Sequence, residues 1–308
     1  MNWKTKVQIQ RTLEKVPGGR AAYALCQQLN GSRGDSQLKS NVEQGIRLLQ
    51  TFAKAGQSVG DLNGVEIGSG WALIVPVVFW LNGLRACHTY DLTNLLDAKL
   101  MQKAMAELAK LCADPASLKS HRPFTLRAER GARLRELIGS RASAAELLRE
   151  FEISYHAPAD AGATQHADGS MDLVFSNNVL EHVPAVQIRR IFDEARRILK
   201  PGGWMLHVID PSDHFEHDDD SISPINFLTF SETEFARCNT SFCYQNRLRA
   251  PSYRQLIEDA GFEIVHWESR LNAAAAEQLP RLALHSDFAR FSPEEICSMS
   301  LRIVARKP

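Results

Sequence analysis

Three places in this 308-residue chain combine residue types that could do chemistry at spacings that let them act together. The first is Gly68-Ser69-Gly70, which follows the short apolar run Val65-Glu66-Ile67 and leads into Trp71. Two glycines at a strand-to-helix turn let the backbone approach a ligand closely, and the helix beyond offers free N–H groups. Asp91 lies 23 residues after Gly68, at the end of the next predicted strand. A carboxylate there can accept hydrogen bonds from both hydroxyls of a ribose. The plain alternative is a tight turn and an unrelated acid. The second place is Glu181-His182, an acid and an imidazole just past a further predicted strand. The third is His207-Val208-Ile209-Asp210-Pro211-Ser212-Asp213-His214. Alternation along that strand puts His207 and Ile209 on one face with Asp210 at its end, so Asp210, Asp213 and His214 can converge. A histidine oriented by an aspartate is a competent base near neutral pH. Farther on, Arg247 and Arg249 flank Leu248. Both can then face one side and, with His207, hold a carboxylate, phosphate or sugar acid. Salt bridges to the acidic run Asp218-Asp219-Asp220 are the competing use of those arginines.

The elements that must position these residues alternate short β-type runs with helices, as in a mostly parallel sheet wound with crossover helices. The predicted strands cover 64–67, 86–91, 152–156, 171–176, 204–210, 263–268 and 299–306. A helical prefix, residues 1–58, precedes them in pieces at Val7–Val16, Ala21–Leu29 and Val42–Ala55, broken by Pro17-Gly18-Gly19 and Asn30-Gly31-Ser32. Its periodicity fits a cap over an active site and a homodimer contact equally. The remaining 59–308 reads as one α/β domain with two long insertions. Residues 92–151 hold an amphipathic helix (Leu100, Met101, Ala104, Met105, Leu108, Leu111) and a capping box at Ser143-x-x-Glu146. Residues 211–250 are rich in Asp, His and aromatics; a long ordered insertion at the carboxyl edge of a parallel sheet builds a pocket or lid. Pro184 opens one helix, which Pro201-Gly202-Gly203 should stop, and Pro251 opens another, capped by Gly261.

A dinucleotide-binding fingerprint would have a third glycine at position 73, which is Leu73, so a pyrophosphate ligand is disfavoured. The stretch Val65-Glu66-Ile67-Gly68-Ser69-Gly70 resembles motif I of the class I S-adenosylmethionine-dependent methyltransferases, with Ala72 at the place of an often-seen third glycine. Three more blocks follow in the family's order. Asp91-Leu92 stands at the ribose-binding position and Asp160-Ala161 at the pair bracketing the adenine. Met171 to Val183 is similar to the fourth-strand motif, and Leu199-Lys200-Pro201-Gly202-Gly203 to the turn into strand five. The resemblance covers roughly residues 60–307. It implies a Rossmann-like doubly wound sheet of seven strands, the last antiparallel. It also implies S-adenosylmethionine as cofactor, contacted by Glu66, Gly68, Ser69, Gly70, Trp71, Asp91, Leu92, Asp160, Ala161, Asn177 and Asn178. Methyl transfer in this family is an in-line displacement, in which the protein supplies alignment and, for a hydroxyl acceptor, a base or a metal. Some family members with an ExxEH sequence hold magnesium there. Here Asn178 stands where the first glutamate would be, which leaves Glu181, His182 and an amide oxygen as ligands; packing of the next helix is the alternative role of the pair. His214 and His182, with Asp210 and Asp213, are the candidate catalytic groups. The expected acceptor is a polar small molecule or glycan, methylated on oxygen. An RNA ribose methyltransferase and a non-catalytic scaffold are the alternatives.

Composition narrows the rest. Lys+Arg and Asp+Glu are both 36, so no general electrostatic grip on nucleic acid or anionic membrane is expected. The longest apolar run, Trp71 to Leu81, contains Pro76 and is well short of the roughly 20 residues of a membrane helix. The first residues mix charges and lack a signal peptide's apolar centre. Six cysteines without a CxxC pair read as reduced thiols. A cytoplasmic enzyme is the expectation.

Overall fold

The structure is a computed structural model that describes residues 1–19, 35–114 and 126–308. The expected helical piece Ala21–Leu29 and Cys26 lie outside the described residues. Strands β1 (Asn63–Ile67), β2 (Ala86–Tyr90), β3 (Ile153–His156), β4 (Met171–Asn177), β5 (Leu199–Ile209), β6 (Glu263–Leu271) and β7 (Ser298–Arg306) form one sheet in the order β3-β2-β1-β4-β5-β7-β6. Only β7 runs against its neighbours, pairing antiparallel with both β5 and β6. The chain winds outward from β1 through β2 to β3 and returns to β4 beside β1. A crevice must therefore open at the carboxyl ends of β1 and β4, where the connections leave in opposite directions.

Alternating residues of the strands feed two cores. On one face Leu173, Phe175, Leu206 and Val304 pack beneath the helices Asp35–Lys54, Ile74–Leu81, Ala98–Ala113, Ala128–Gly139 and Ala144–Glu150. On the other, Val65, Ile67, Val174, Met205 and Ile303 pack beneath Ala185–Ile198 and Ala250–Asp259. The helix Ile74–Leu81 is apolar all round because every one of its residues is buried. The insertion 92–151 carries local caps at two of its helix starts. Asp97 caps the helix Ala98–Ala113, and Ser143 with Glu146 completes the capping box of Ala144–Glu150.

Each expected strand is present, and the clearest difference lies at β5. The helix from Ala185 ends at Ile198 before Pro201-Gly202-Gly203 is reached, and those residues lie within the strand. Met171 pairs with Leu199 and Leu173 with Trp204, so a bulge absorbs the intervening residues. A proline with no N–H to donate and Gly202 at φ +79 suit a bulge and would not suit a regular ladder.

The two described parts of the prefix go to different places. The helix Trp3–Glu14 joins a third core with Phe215, Ile225, Phe227, Phe235, Phe288 and Met299, against the insertion that follows β5. The helix Asp35–Lys54 shares the sheet's own core through Leu38, Val42, Ile46, Leu49 and Phe52. It lies so close to the helix Ile74–Leu81 that a Cβ on Gly45 would fall 3.2 Å from Val78. Among the described residues no helix is long and apolar enough to cross a membrane, and Cys87, Cys112, Cys238, Cys243 and Cys297 are free thiols.

Candidate functional site

The crevice is built first by backbone. Gly68 takes φ +81 and its N–H donates to the Tyr90 carbonyl at 2.8 Å, closing the loop onto β2. A Cβ on Gly68 would lie 2.4 Å from Val179, whereas one on Gly70, at φ +62, would meet nothing within 4 Å. The first glycine therefore serves packing against the β4 loop, and the second leaves its surroundings open. Glu66 sits beneath the loop, fully buried, and accepts the Thr89 hydroxyl at 2.6 Å; that hydroxyl also lies 2.6 Å from Ser69 Oγ. Burial pushes the Glu66 carboxyl well above the ordinary carboxylate range, against the Thr89 hydrogen bond and with the charge of Asp91 adding to the rise. Asp91 accepts the Thr93 N–H at 2.9 Å and faces the backbone N–H groups of Gly70 and Ser69; burial raises its pKa despite these donors.

A cavity of about 360 Å³ opens between this loop and the helix Asp35–Lys54. Glu66, Gly68, Ser69, Gly70, Trp71, Asn177 and Asn178 line it, and these are seven of the residues expected at the cofactor. The opposite wall is Leu38, Asn41 and Gln44. Asn177 Nδ2 donates to Gln44 Oε1 at 2.8 Å, while Asn177 Oδ1 is buried with no partner among the described residues. Asn178 takes a left-handed φ of 51 at the same wall. The four other expected contacts, Asp91, Leu92, Asp160 and Ala161, lie beyond this cavity. Leu92 is 74% exposed just after Asp91. Asp160 accepts the Gly162 N–H at 2.8 Å and pairs with Arg190 at 3.3 Å, with Ala161 beside it. Their loop is tied to the Asp91 carbonyl by the Ala159 N–H at 2.8 Å.

A second cluster forms where β4 and β5 end. Glu181, His182 and His214 each present a ligand-type atom, all within 4.8 Å of one another. His182 Nδ1 lies 2.8 Å from the Tyr244 carbonyl, to which it donates, so Nε2 is left for another partner. The His214 and His182 rings meet edge to face at 4.8 Å, and His217 stacks on His214 at 4.9 Å. Glu181 is fully buried; its carboxyl faces only the backbone N–H groups of Glu181 and Asp210 without closing a well-formed hydrogen bond, and His214 Nε2 has no partner among the described residues. Burial drives the Glu181 carboxyl well above its usual range. It also drives His214 down to about 4, with the neighbouring His182 adding to the fall and Asp210 opposing it. A buried carboxylate facing unpaired imidazole nitrogen is costly unless a cation joins them. The donor set of one carboxylate and two neutral imidazoles fits a divalent metal.

The rest of the third sequence group separates. Asp210 stays beside His214, with Oδ2 3.8 Å from Nε2. Asp213 does not converge with them: it is buried in the insertion, accepts the Phe215 N–H at 2.9 Å and is pushed up to about 6 by burial. His207 is buried under the sheet with Nδ1 2.8 Å from the Ser176 hydroxyl and its ring against Phe192, so it cannot touch an acceptor. The expected clamp of Arg247 and Arg249 is also replaced. Arg249 is 1% exposed and donates to the carbonyls of Pro211, Arg247 and Ile296. Arg247 lies between Phe235 and Phe288 and binds the Phe227 and Phe230 carbonyls and Glu232. These two cations hold the insertion together, because the aromatic segment offers carbonyls that no ladder satisfies. The residues that sequence reasoning missed are Leu38, Asn41 and Gln44. Their only signal was helical spacing within a prefix that was not placed.

The order of strands, the left-handed glycine loop and the crevice at the β1/β4 switch define a doubly wound α/β protein with a cavity at the switch point. Residues 132–207 match a family model described as a methyltransferase domain. A search of curated proteins finds no match. Similar solved structures include an S-adenosylmethionine-dependent methyltransferase from Mesorhizobium loti, 17% identical over 83% of this chain and 96% of that one, TM-score 0.42. Another from Methanosarcina mazei is 14% identical over 80% and 92%, TM-score 0.42. The geranyl diphosphate C-methyltransferase of Streptomyces coelicolor A3(2) is 13% identical over 85% and 77%, TM-score 0.46. Residues 132–207 are thus similar to a methyltransferase domain, and the sheet order is that of the doubly wound α/β fold.

Proposed function

We propose that the chain methylates an oxygen of a polar small-molecule or glycan-type acceptor, held beside the carboxyl ends of β4 and β5 under residues 211–250. The observation that carries this reading is Glu181, a buried carboxyl with no side-chain hydrogen-bond partner among the described residues, grouped with His182 and His214. S-adenosylmethionine, when bound, supplies the electrophilic sulfonium methyl. A divalent ion held by Glu181, His182 and His214 would lower the pKa of an acceptor hydroxyl. Two imidazoles in the set favour a transition metal such as manganese or zinc over magnesium, which prefers oxygen ligands. The chain's own part is alignment. The loop Gly68–Gly70 and Asp91 orient the nucleoside, and the Tyr244 carbonyl fixes the His182 ring. Asp210, 3.8 Å from His214 Nε2, is placed to take up the proton that the acceptor loses.

The balanced charge of the chain argues against an RNA ribose acceptor at the same site. Gly68, Gly70 and Asp91 are intact, which argues against a scaffold without cofactor. The test is methyl transfer from S-adenosylmethionine to a panel of hydroxylated acceptors, with chelator and with manganese, zinc or magnesium restored. An O-methyl product whose formation needs metal, and whose metal dependence vanishes in Glu181→Gln, is expected. An N- or C-methylated product, or full activity in chelator, would overturn the reading.

A further inference from the structure

A second cavity, of about 260 Å³, lies between residues 232–252 and 287–291. No residue of the motif I loop lines it, and neither do Glu181, His182 and His214. Tyr244 and Gln245 do, and they hold that cluster through the Tyr244 carbonyl on His182 and Gln245 Oε1 on the His214 N–H. The cavity thus adjoins the cluster without including it. Its walls are aromatic, from Phe235, Tyr244, Phe288 and Phe291, with one buried cation, Arg247. Its volume is small for a ligand pocket and suits one ring with a short tail. Arg247 uses its guanidinium unevenly. Nη1 donates to the carbonyl of Phe227 at 3.1 Å and to that of Phe230, which is its structural work. Nη2 donates to Glu232 Oε2 at 2.6 Å, while Nε is buried with no partner among the described residues. The Nε–Nη2 edge is a fork that can take both oxygens of one carboxylate. Here a single oxygen fills half of it, from a Glu232 side chain that is 80% exposed, although the arginine side chain is 5% exposed. So exposed a carboxylate gains little from the pair, whereas a buried N–H left empty is costly. Phe235 and Phe288, each with its ring centre 5.0 Å from the guanidinium carbon, fix the fork in place. The other charged lining residues, Asp287 and Arg290, are exposed and of opposite sign, and Asp287 is paired with His285 at 3.1 Å. Arg247 therefore decides what the buried end accepts.

We propose that this cavity binds a small aromatic carboxylate, which takes the Nε–Nη2 edge of Arg247 with both oxygens and displaces Glu232, the chain's own stand-in. Arg249, whose guanidinium is spent on carbonyls, has no part in it. The site stands whether or not the chain transfers a methyl group. Phenylacetate and its neutral isostere phenylacetamide are titrated calorimetrically into the full chain, with chelator present so that no metal at Glu181 can hold a carboxylate. Wild type should bind phenylacetate roughly tenfold or more tightly than phenylacetamide, the scale of a charge-assisted pair. Glu232→Ala changes an exposed side chain and removes the competing carboxylate, so phenylacetate affinity should rise about two- to fivefold. Arg247→Lys keeps the cation but loses the fork and should weaken phenylacetate by roughly tenfold. If that variant unfolds, Glu232→Ala still decides. Saturation with S-adenosylhomocysteine should leave phenylacetate affinity unchanged. The proposal is overturned by equal affinity for the two probes, by absence of phenylacetate binding, by a Glu232→Ala chain that binds no more tightly than wild type, or by competition from S-adenosylhomocysteine.

Discussion

The cofactor side and the acceptor side of this molecule are built on different terms. The proposed cofactor site around Gly68 and Gly70 is backbone, whose shape follows from φ values that glycine permits. The proposed acceptor site around Glu181 and His214 is instead made of side chains delivered by two loops that converge only in the fold. The first kind of site is fixed by the sheet itself, through Tyr90 and Thr89 of β2 and the packing of Val179 on Gly68. The second depends on the insertion 211–250, whose own integrity rests on Arg247 and Arg249 binding carbonyls from three separate segments. Binding of the cofactor and competence toward the acceptor should therefore be separable by mutation.

Gly68→Ala attacks the cofactor side most heavily. It forces a Cβ into a left-handed backbone and 2.4 Å from Val179, costing about 4 kcal/mol by the usual sum of strain and overpacking. Loss of S-adenosylhomocysteine binding in calorimetry is expected, together with a lowered urea midpoint. Gly70→Ala meets no neighbour within 4 Å, so stability should fall by only about 1 kcal/mol. If the two variants were equally unstable, the division of labour between the glycines would be wrong.

Arg249→Ala breaks the other side. It strands the carbonyls of Pro211 and Ile296 and opens a void beneath Phe227, a loss of about 3 kcal/mol. Binding of S-adenosylhomocysteine should be retained while metal binding, read as a manganese-dependent thermal shift, weakens because His214 loses its mooring. A variant that kept wild-type stability yet lost acceptor turnover would restore the arginine as a substrate clamp.

This contrast also explains what the sequence could disclose. The strands were legible because alternation and apolar runs are local, and the motif I loop because glycines at a strand end have few other uses. The capping box at Ser143 and Glu146 needs only four residues. Glu181 and His182 were visible as a pair. Their third companion reads from sequence as Asn178, three residues before Glu181, whereas the fold brings in His214, 32 residues past His182 in an insertion without periodicity. Arg247 and Arg249 misled because charge suggests solvent or substrate, and nothing in sequence shows that aromatic rings and spare carbonyls have enclosed them. Asn41 and Gln44 stayed hidden because a polar stripe on a helix ordinarily faces water.

A third prediction uses pH to probe the cofactor side alone. Folding raises the Glu66 pKa, so the native chain keeps a proton that the unfolded chain has released. Stability contributed by this group is complete below the ordinary carboxylate range and is lost as pH rises toward the native pKa. The slope approaches about 1.4 kcal/mol per pH unit for one proton. Glu66→Gln removes that slope and keeps an acceptor oxygen for Thr89. Urea unfolding of both proteins from acidic to neutral pH should show the variant gaining on wild type as pH rises. Parallel curves would mean that the carboxylate is satisfied in the native state.

The smallest effect tests what seats the helix Asp35–Lys54. Lys54 pairs with Glu268 at 2.5 Å, but the lysine is 48% exposed. An exposed pair of this kind contributes about 0.5 kcal/mol, and Glu268 retains Arg270 and Arg302 without it. The buried face, with Ile46 and Phe52 at 1% exposure, has far more area to lose. Lys54→Ala should therefore leave S-adenosylhomocysteine affinity within about twofold and shift the urea midpoint only slightly. Ile46→Ala should cost about 3 kcal/mol and weaken binding of S-adenosylhomocysteine along with it, because a loosened helix disturbs the cavity wall that Leu38, Asn41 and Gln44 form. If Lys54→Ala matched Ile46→Ala, the helix would be held by its end and free to swing, and the cavity wall would be a moving part.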